Sequence, residues 1–159
     1  MTRTYGGVKI EGAVALVTGS NRGLGNAFVR GLLDAGAAKV YAAARSVNSV
    51  TECDATPVEL DIRNDHHITA AANAFRDVTL LVNNAGIARF TPLIGTPSMD
   101  AARDEITVNH LGTLAMCRAF APLLAANGVA PSSISCPSLA GSPYLSTDPT
   151  ASPRQQSSR

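Results

Sequence analysis

Three glycines near the start of the chain predict a site that brings a phosphate group against protein backbone. They lie in the segment TGSNRGLG, residues 18–25, which follows the apolar run of residues 13–17 and leads into an amphipathic stretch. Glycine adopts positive φ freely, and the missing side chains let a pyrophosphate approach a helix N-terminus. The candidate binding residues are Gly19, Asn21, Arg22, Gly23, Leu24 and Gly25. The spacing G-x-x-x-G-x-G differs from the dinucleotide fingerprint G-x-G-x-x-G, so a tight connection without a ligand is the alternative.

Two arginines extend this chemistry to a second phosphate. Arg45 stands twenty residues after Gly25, at the end of the apolar run of residues 40–44. An acidic residue near this position holds a ribose 2′-hydroxyl in dinucleotide sites, whereas an arginine accommodates a 2′-phosphate. Arg22 can approach the same phosphate from the opposite side. The pair favours NADP(H) over NAD(H), with two solvated surface arginines as the alternative.

These groups meet only if a sheet brings the ends of several strands together. Four strands are predicted at residues 13–17, 40–44, 57–61 and 78–82. Apolar residues recur at helical spacing over residues 24–35, 66–75 and 99–124. Strand, helix and strand within about thirty residues form a right-handed βαβ unit. The sequence therefore predicts an α/β fold with a doubly wound parallel sheet of the Rossmann type, truncated after four strands and a long helix.

The composition limits the class of protein. A length of 159 residues fits one domain, and scattered charges with a net value of +1 imply neither nucleic acid nor a membrane surface as partner. The three cysteines are widely spaced, and His66 and His67 have no partner at metal-ligand spacing beyond Asp65, so we expect neither disulfides nor a metal site. No signal peptide or membrane span is visible, so we expect a soluble, cytoplasmic protein.

The fourth predicted strand ends in two consecutive amides. Asn83-Asn84-Ala85-Gly86 suits a strand end where amides form hydrogen bonds and a flat ring passes close to small residues. Together with T-G-x-x-x-G-x-G upstream, this motif resembles the short-chain dehydrogenase/reductase family. The resemblance implies that N-N-A-G stabilises the central sheet and borders the cofactor. It also implies an oxidoreductase that transfers a hydride between NADP(H) and a small-molecule carbonyl or alcohol substrate.

The same resemblance assigns roles to residues at the ends of other elements. The family aspartate that matches Asp61 contacts the adenine, and Ile62 beside it is a further candidate for cofactor binding. An N-cap for the following helix is the alternative role of Asp61. Asn109 lies in a stretch that resembles the family's V-N-x-x-G, which implies an active-site asparagine that orders a water in the proton relay. An amide satisfied by helix packing is the alternative for Asn109.

The resemblance covers nearly the whole chain up to Asn127 and fails after it. The family next has a catalytic serine, a tyrosine that acts as general acid or base, and a lysine that lowers the pKa of the tyrosine. At the tyrosine and lysine positions stand Ala151 and Gln155. We therefore predict an incomplete dinucleotide-binding domain at residues 1–127 and a disordered Ser/Pro-rich tail at residues 128–159. A non-catalytic dinucleotide-binding fragment is the alternative to an active oxidoreductase.

A frame change in the gene would explain this failure. When the third base of each codon is read with the first two bases of the next, the junctions after residue 127 permit serine, tyrosine and lysine at the family's spacing. The degenerate third base leaves other assignments open at each junction. We hypothesise a one-base frame change near Asn127. The nucleotide sequence of the gene decides the matter, since a shifted frame without Tyr-x-x-x-Lys contradicts the hypothesis.

An apolar stripe on the last predicted helix bears on assembly. In the family, the helix that resembles residues 99–124 packs with the next crossover helix at a dimer interface, which implies a homo-oligomer for the intact family. Without that crossover helix, the stripe around Leu111, Leu114 and Ala115 is left partly bare, and exposed patches of this kind drive association. For this chain we expect a marginally stable, aggregation-prone product rather than the family's oligomer.

Overall fold

Strands and helices alternate along the first half of the chain. In the computed structural model, which describes residues 9–90, 98–129 and 134–135, strands lie at β1 Val14–Thr18, β2 Lys39–Ala44, β3 Thr56–Glu59, β4 Leu80–Val82 and β5 Ile134–Ser135. The helices are α1 Gly23–Asp34, α2 Asp65–Ala74, α3 Asp100–Glu105 and α4 Thr113–Ala126. A short 3₁₀ turn follows β2 at Val47–Ser49, and a π-helical segment at Ile106–Gly112 joins α3 to α4.

The described strands form one parallel sheet in the order β3-β2-β1-β4-β5. Val17 of β1 is in register with Ala42 of β2 on one side and with Val82 of β4 on the other. Because β3 and β4 are consecutive in the chain but lie on opposite sides of β1, the strand order reverses beside β1. This architecture confirms the predicted α/β fold with a doubly wound parallel sheet of the Rossmann type.

Helices cover both faces of the sheet, which explains why its strands are apolar without alternation. On one face, Leu16 and Leu81 pack in a cluster with Phe120 of α4, and on the other Val17 packs in a cluster with Val29 of α1. All five side chains are fully buried. Each such side chain contributes about 1.5–3 kcal/mol relative to an exposed one, so the two apolar layers hold the strand ends in place.

A fifth strand lies within the segment whose composition predicted a disordered tail. Ile134 is in register with Leu81, and Ser135 with Val82, so β5 extends the sheet beyond β4. Ile134 also packs against the core from a half-buried position. The sheet therefore has one described strand more than the four predicted. The Ser/Pro-rich composition of residues 128–159 as a whole predicted disorder and gave no weight to the single apolar residue Ile134. The predicted tail otherwise falls largely outside the described residues, and so do Ala151 and Gln155.

The long helix predicted over residues 99–124 is confirmed in position but not in regularity. Its middle turns are π-helical, a form that is rare and often found at functional sites. Leu111 and Leu114 are 56% and 52% exposed, as expected for a bare apolar stripe, whereas Ala115 packs against the core. None of the helices in the described ranges combines the length and hydropathy needed to cross a bilayer.

Candidate functional site

A cleft of about 860 Å³ opens at the carboxyl ends of β1 to β4. Ligands of doubly wound sheets bind at this edge, next to the point where the strand order reverses. The cleft brings together these predicted cofactor residues: Gly19, Asn21, Arg22, Gly23, Leu24, Gly25, Arg45, Asp61, Ile62, Asn84, Ala85 and Gly86. The remaining two predicted site residues, Asn83 and Asn109, do not line the cleft.

The glycines of the turn after β1 have different physical reasons to be glycine. Gly19 has φ +65°, and a Cβ there would lie 2.8 Å from the Cα of Ala85. Gly25 has ordinary helical backbone, but a Cβ there would collide with the carbonyl oxygen of Gly19 and would lie 2.5 Å from Nδ2 of Asn84. Gly23 has φ +54° with nothing within 4 Å of its Cβ position, so it faces open space. Two glycines therefore let the turn pack on N-N-A-G, and the third leaves room on the cleft side.

Hydrogen bonds lock the turn to the end of β4. Asn84 donates through Nδ2 to the carbonyls of Thr18 (3.0 Å) and Gly19 (3.1 Å). In return, the Thr18 hydroxyl oxygen accepts from the N–H groups of Asn84 and Ala85, both at 3.0 Å. Ser20 adds a hydroxyl bond of 3.1 Å to the carbonyl of Ala43 in β2. These bonds fix the turn relative to the two strands that flank β1, namely β4 and β2.

Thr18 begins the glycine motif but was not among the predicted site residues. Its side chain is 1% exposed, and its hydroxyl is the acceptor around which the Asn84-Ala85 turn is organised. The sequence feature that could have pointed to Thr18 is its position, directly before the first glycine of T-G-x-x-x-G-x-G. A buried hydroxyl that accepts two N–H groups cannot be recognised from spacing alone, because the partners lie 66 and 67 residues away in the chain.

The first turn of α1 is suited to an anion. Arg22 is the N-cap residue with extended backbone and makes no side-chain cap bond, and no acidic residue lies in the first turn. The first N–H groups of a helix lack intrahelical partners and carry partial positive charge. Arg22 and Arg45, both exposed, add two guanidinium groups at this end of the cleft. The arrangement gives a positively charged end next to a row of backbone donors.

Asp61 forms an ion pair with Arg63 and does not cap the following helix. Its Oδ1 accepts from Nε of Arg63 at 3.0 Å, and its Oδ2 from Nη2 at 2.6 Å. These hydrogen bonds hold the pKa of the Asp61 carboxyl below its usual value, and the charge of Arg45 acts in the same direction. The N-cap of α2 is Asn64, which accepts from the N–H groups of His66 and His67. The N-cap alternative for Asp61 is therefore wrong, because the chain turns into α2 three residues later.

His67 also lies close to this strand end, where its Nδ1 accepts from the Asp61 N–H at 3.3 Å. That bond ties the first turn of α2 to the end of β3. Within the described ranges, no group of three or more His, Cys, Asp or Glu side chains is placed to hold a metal ion.

Asn109 contacts the segment that follows β4. Its Oδ1 accepts from the N–H of Ile87 and its Nδ2 donates to the carbonyl of Ile87, both at 2.8 Å. The carboxamide thus pairs with both backbone groups of one residue that lines the cleft. Nearby, a Cβ on Gly112 would lie 2.8 Å from the carbonyl oxygen of Ile62, so the π-helical segment also packs tightly on the end of β3. The Asn109 amide therefore holds the backbone of Ile87 in place. Its role in a proton relay stays a prediction.

Asn83 faces the sheet interior and not the cleft. It is 2% exposed, and its Nδ2 donates to Sγ of Cys117 at 3.5 Å. The two amides of N-N-A-G therefore act on different partners: Asn83 on α4 and Asn84 on the glycine turn.

One ion pair and one backbone hydrogen bond that the sequence did not indicate tie Arg89, at the wall of the cleft, to α3. The backbone N–H of Arg89 donates to Oε1 of Glu105, and its guanidinium donates to Oδ2 of Asp104, both at 2.5 Å. Next to it, Phe90 has φ +52° and is 94% exposed. Residues 87–90 are therefore tied to α3 and to the π-helical segment, and the Phe90 ring is exposed.

The strand order, the cleft at the switch point and the glycine turn define a Rossmann-type fold of the kind that holds dinucleotides. A comparison with protein families matches residues 13–145 to the short chain dehydrogenase model. The chain belongs to the short chain dehydrogenase family. The match continues past residue 127, at which we expected the resemblance to fail.

Individual relatives agree with this assignment. The short-chain dehydrogenase anuI of Penicillium roqueforti is 34% identical over 128 residues, which cover 72% of this chain and 50% of that protein. The crystal structure of a short chain dehydrogenase from Burkholderia cenocepacia in complex with NADP has 46% identity and a TM-score of 0.73, and covers 76% of this chain and 52% of that one. A 3-ketoacyl-(acyl-carrier-protein) reductase from Brucella melitensis, complexed with NADH, has 30% identity and a TM-score of 0.68, and covers 75% of this chain and 53% of that one. The chain spans half or less of the length of the first curated relatives that it matches.

Proposed function

We propose that this chain binds a nicotinamide dinucleotide at the glycine turn and prefers NADP(H) to NAD(H). The observation that carries the proposal is the pair of exposed arginines, Arg22 and Arg45, at the end of the cleft where α1 begins and β2 ends. Arginine forms charge-assisted and often bidentate hydrogen bonds with phosphate. The Burkholderia relative in complex with NADP supports the choice, while the Brucella relative in complex with NADH supports only the wider class of cofactor.

The residues present fit such a cofactor. The open space at Gly23 and the uncapped first turn of α1 suit a pyrophosphate. Asp61 and Ile62 line the cleft just after β3, where the resemblance puts the adenine. Ala85 and Gly86, which have a small side chain or none, line it beside the turn. When bound, the nicotinamide supplies or accepts a hydride, and this chain's part is to bind and orient it.

Titration of the two reduced cofactors tests the preference. We expect NADPH to bind about tenfold or more tightly than NADH, because a hydrogen bond to a charged group contributes about 1.5–3 kcal/mol. Arg45→Asp should reverse the order, since a carboxylate accepts from a ribose hydroxyl and repels a phosphate. Arg76→Asp is a matched control, because Arg76 is exposed and lies outside the cleft. Equal affinities of both cofactors for the wild type and the Arg45 variant would refute the proposal.

We further propose that the chain serves an oxidoreductase reaction, the reduction or oxidation of a carbonyl or alcohol carbon. A second candidate is a non-catalytic dinucleotide-binding fragment, and the observation that favours it is Ala151 and Gln155 at the expected tyrosine and lysine positions. Loss of a general acid or base lowers rates by about 10²–10⁴-fold. Turnover of NADPH with a panel of ketones and aldehydes separates the two, and rates near those of intact relatives would exclude the fragment.

A further inference from the structure

The Asp61–Arg63 ion pair lies beside the end of β2. Ala44 is in register with Glu59, and the N–H of Leu60 donates to the carbonyl of Ala44 at 2.8 Å. Arg45 and Asp61 therefore follow these residues on neighbouring parallel strands, which lie about 4.8 Å apart. Both side chains line the same cleft, and so does Arg63.

Arg63 occupies both oxygens of the Asp61 carboxylate. Nε of Arg63 donates to Oδ1 at 3.0 Å and to Oδ2 at 3.2 Å, Nη2 donates to Oδ2 at 2.6 Å, and the Arg63 N–H donates to Oδ1 at 3.0 Å. The carboxylate is held close to its own strand end in this way. Arg63 balances its negative charge, and within the described ranges Arg45 forms no ion pair with it.

We propose that Arg63 is a positioning residue for cofactor choice, which keeps Arg45 available to a 2′-phosphate by engaging the carboxylate of Asp61. The inference rests on the proposed NADP(H) preference. It adds Arg63, which does not contact the phosphate itself but acts through Asp61 and Arg45. Without Arg63, the Asp61 carboxylate is left as an unpaired anion that lines the same cleft as Arg45. It then pairs with that guanidinium and repels the phosphate.

The size of the effect follows from the charges. Arg22, Arg45 and Arg63 against Asp61 leave two net positive charges at this end of the cleft, and removal of Arg63 leaves one. At a charge separation of about 8 Å, one unit charge changes an affinity by about twofold in bulk water and by about thirtyfold at the effective dielectric of a protein surface. For these exposed side chains we expect an intermediate change of about fivefold to tenfold. The effect falls on the phosphate-bearing cofactor, because NADH carries no charged group at this position.

The experiment compares the affinities of NADPH and NADH for the full chain and its variants at low ionic strength. We expect Arg63→Gln to lower the ratio of NADPH to NADH affinity about fivefold to tenfold. Adding Asp61→Asn to this variant should return the ratio to within about twofold of the wild type, because the competing anion is gone. Any contact of Asp61 with the adenine affects both cofactors equally and cancels in the ratio.

Arg30→Gln is the matched control. Arg30 forms an ion pair of the same length with Glu52, 2.6 Å, and its side chain is similarly exposed, but neither residue lines the cleft. The ratio should not change in this variant. Asp61→Asn alone is a second test that preserves every arginine, and it should leave the ratio unchanged or raise it.

The outcomes distinguish the two proposals. A wild type that binds NADPH and NADH equally refutes the cofactor preference itself. A wild type that prefers NADPH, together with an Arg63→Gln variant of unchanged ratio, overturns only the role of Arg63. A lowered ratio that Asp61→Asn does not restore, or a ratio that falls in Asp61→Asn alone, overturns it as well.

Discussion

Removal of one buried hydroxyl should loosen the glycine turn from the sheet. Thr18→Val keeps the shape of the side chain but deletes the oxygen that accepts from the N–H groups of Asn84 and Ala85. Thr18 is 1% exposed, so water cannot readily replace the lost oxygen. We expect the variant to fold with lower stability and with weaker cofactor binding, because the turn and N-N-A-G border the same cleft.

The magnitude follows from the fate of the two donors. The Ala85 N–H loses the acceptor that the structure gives it, and an unsatisfied buried donor costs about 1–3 kcal/mol. The Asn84 N–H keeps a contact of 3.2 Å with the carbonyl of Val82, so its loss is smaller. Because both residues are only half-buried, we expect a decrease of about 2 kcal/mol in the free energy of unfolding. For a chain of this size, that lowers Tm by about 4–8 °C.

The assay is denaturant and thermal unfolding followed by circular dichroism, with two controls. Thr113→Val makes the same substitution at an equally buried threonine, 1% exposed, whose hydroxyl has no hydrogen-bond partner in the described part of the chain. Loss of that hydroxyl should be neutral or stabilising. Thr18→Ser keeps the acceptor and loses one methyl group, which should cost about 0.8 kcal/mol.

The reasoning fails if the two valine variants lose the same stability. It also fails if Thr18→Ser is as unstable as Thr18→Val, since the methyl group and not the hydroxyl would then hold the turn.

Two further predictions concern the same end of the sheet. Gly25→Ala should destabilise by about 1–3 kcal/mol and weaken cofactor binding, because a Cβ there meets the carbonyl oxygen of Gly19 and Nδ2 of Asn84. Gly31→Ala in the same helix has open space and should stabilise by about 0.5–1 kcal/mol. Urea unfolding of both variants measures this difference. The lowered pKa of Asp61 means that its pairing with Arg63 stabilises the fold above the ordinary carboxyl pKa of about 3.9 and is lost as pH falls through the lowered value. The stability advantage of wild type over Asp61→Asn should therefore shrink below about pH 4 in acid unfolding curves, and a constant difference down to pH 2 would contradict this.

The sequence indicates the parts of the site that depend on local backbone chemistry. The glycine turn could be predicted because a positive φ at Gly19 and Gly23 restricts the residue type. The parallel sheet could be predicted from runs such as residues 13–17, which are apolar without alternation and therefore belong in a sheet covered on both faces.

Other features depend on partners that are distant in the chain. The pairing of Asn109 with Ile87 spans 22 residues, and no local pattern identifies it. The π-helical turns around Asn109 could not be read from a periodicity that fits an ordinary α-helix equally well. Asn64 and Asp61 are both reasonable N-caps by residue type, and only the path of the chain decides between them. The frame-change hypothesis stays a prediction about the gene.

The hydrogen bonds between Asn84 and the turn after β1 also have a consequence for folding during synthesis. The turn leaves the ribosome well before the amide that holds it, since 66 residues separate Thr18 from Asn84. Contacts of such long sequence separation form late, because the entropy of closing the intervening loop opposes them. A nascent chain that has β1, α1 and β2 thus contains every glycine of the turn but lacks the docking surface that shapes it. We therefore expect the cleft at the turn to take its shape in one step, when β4 pairs with β1.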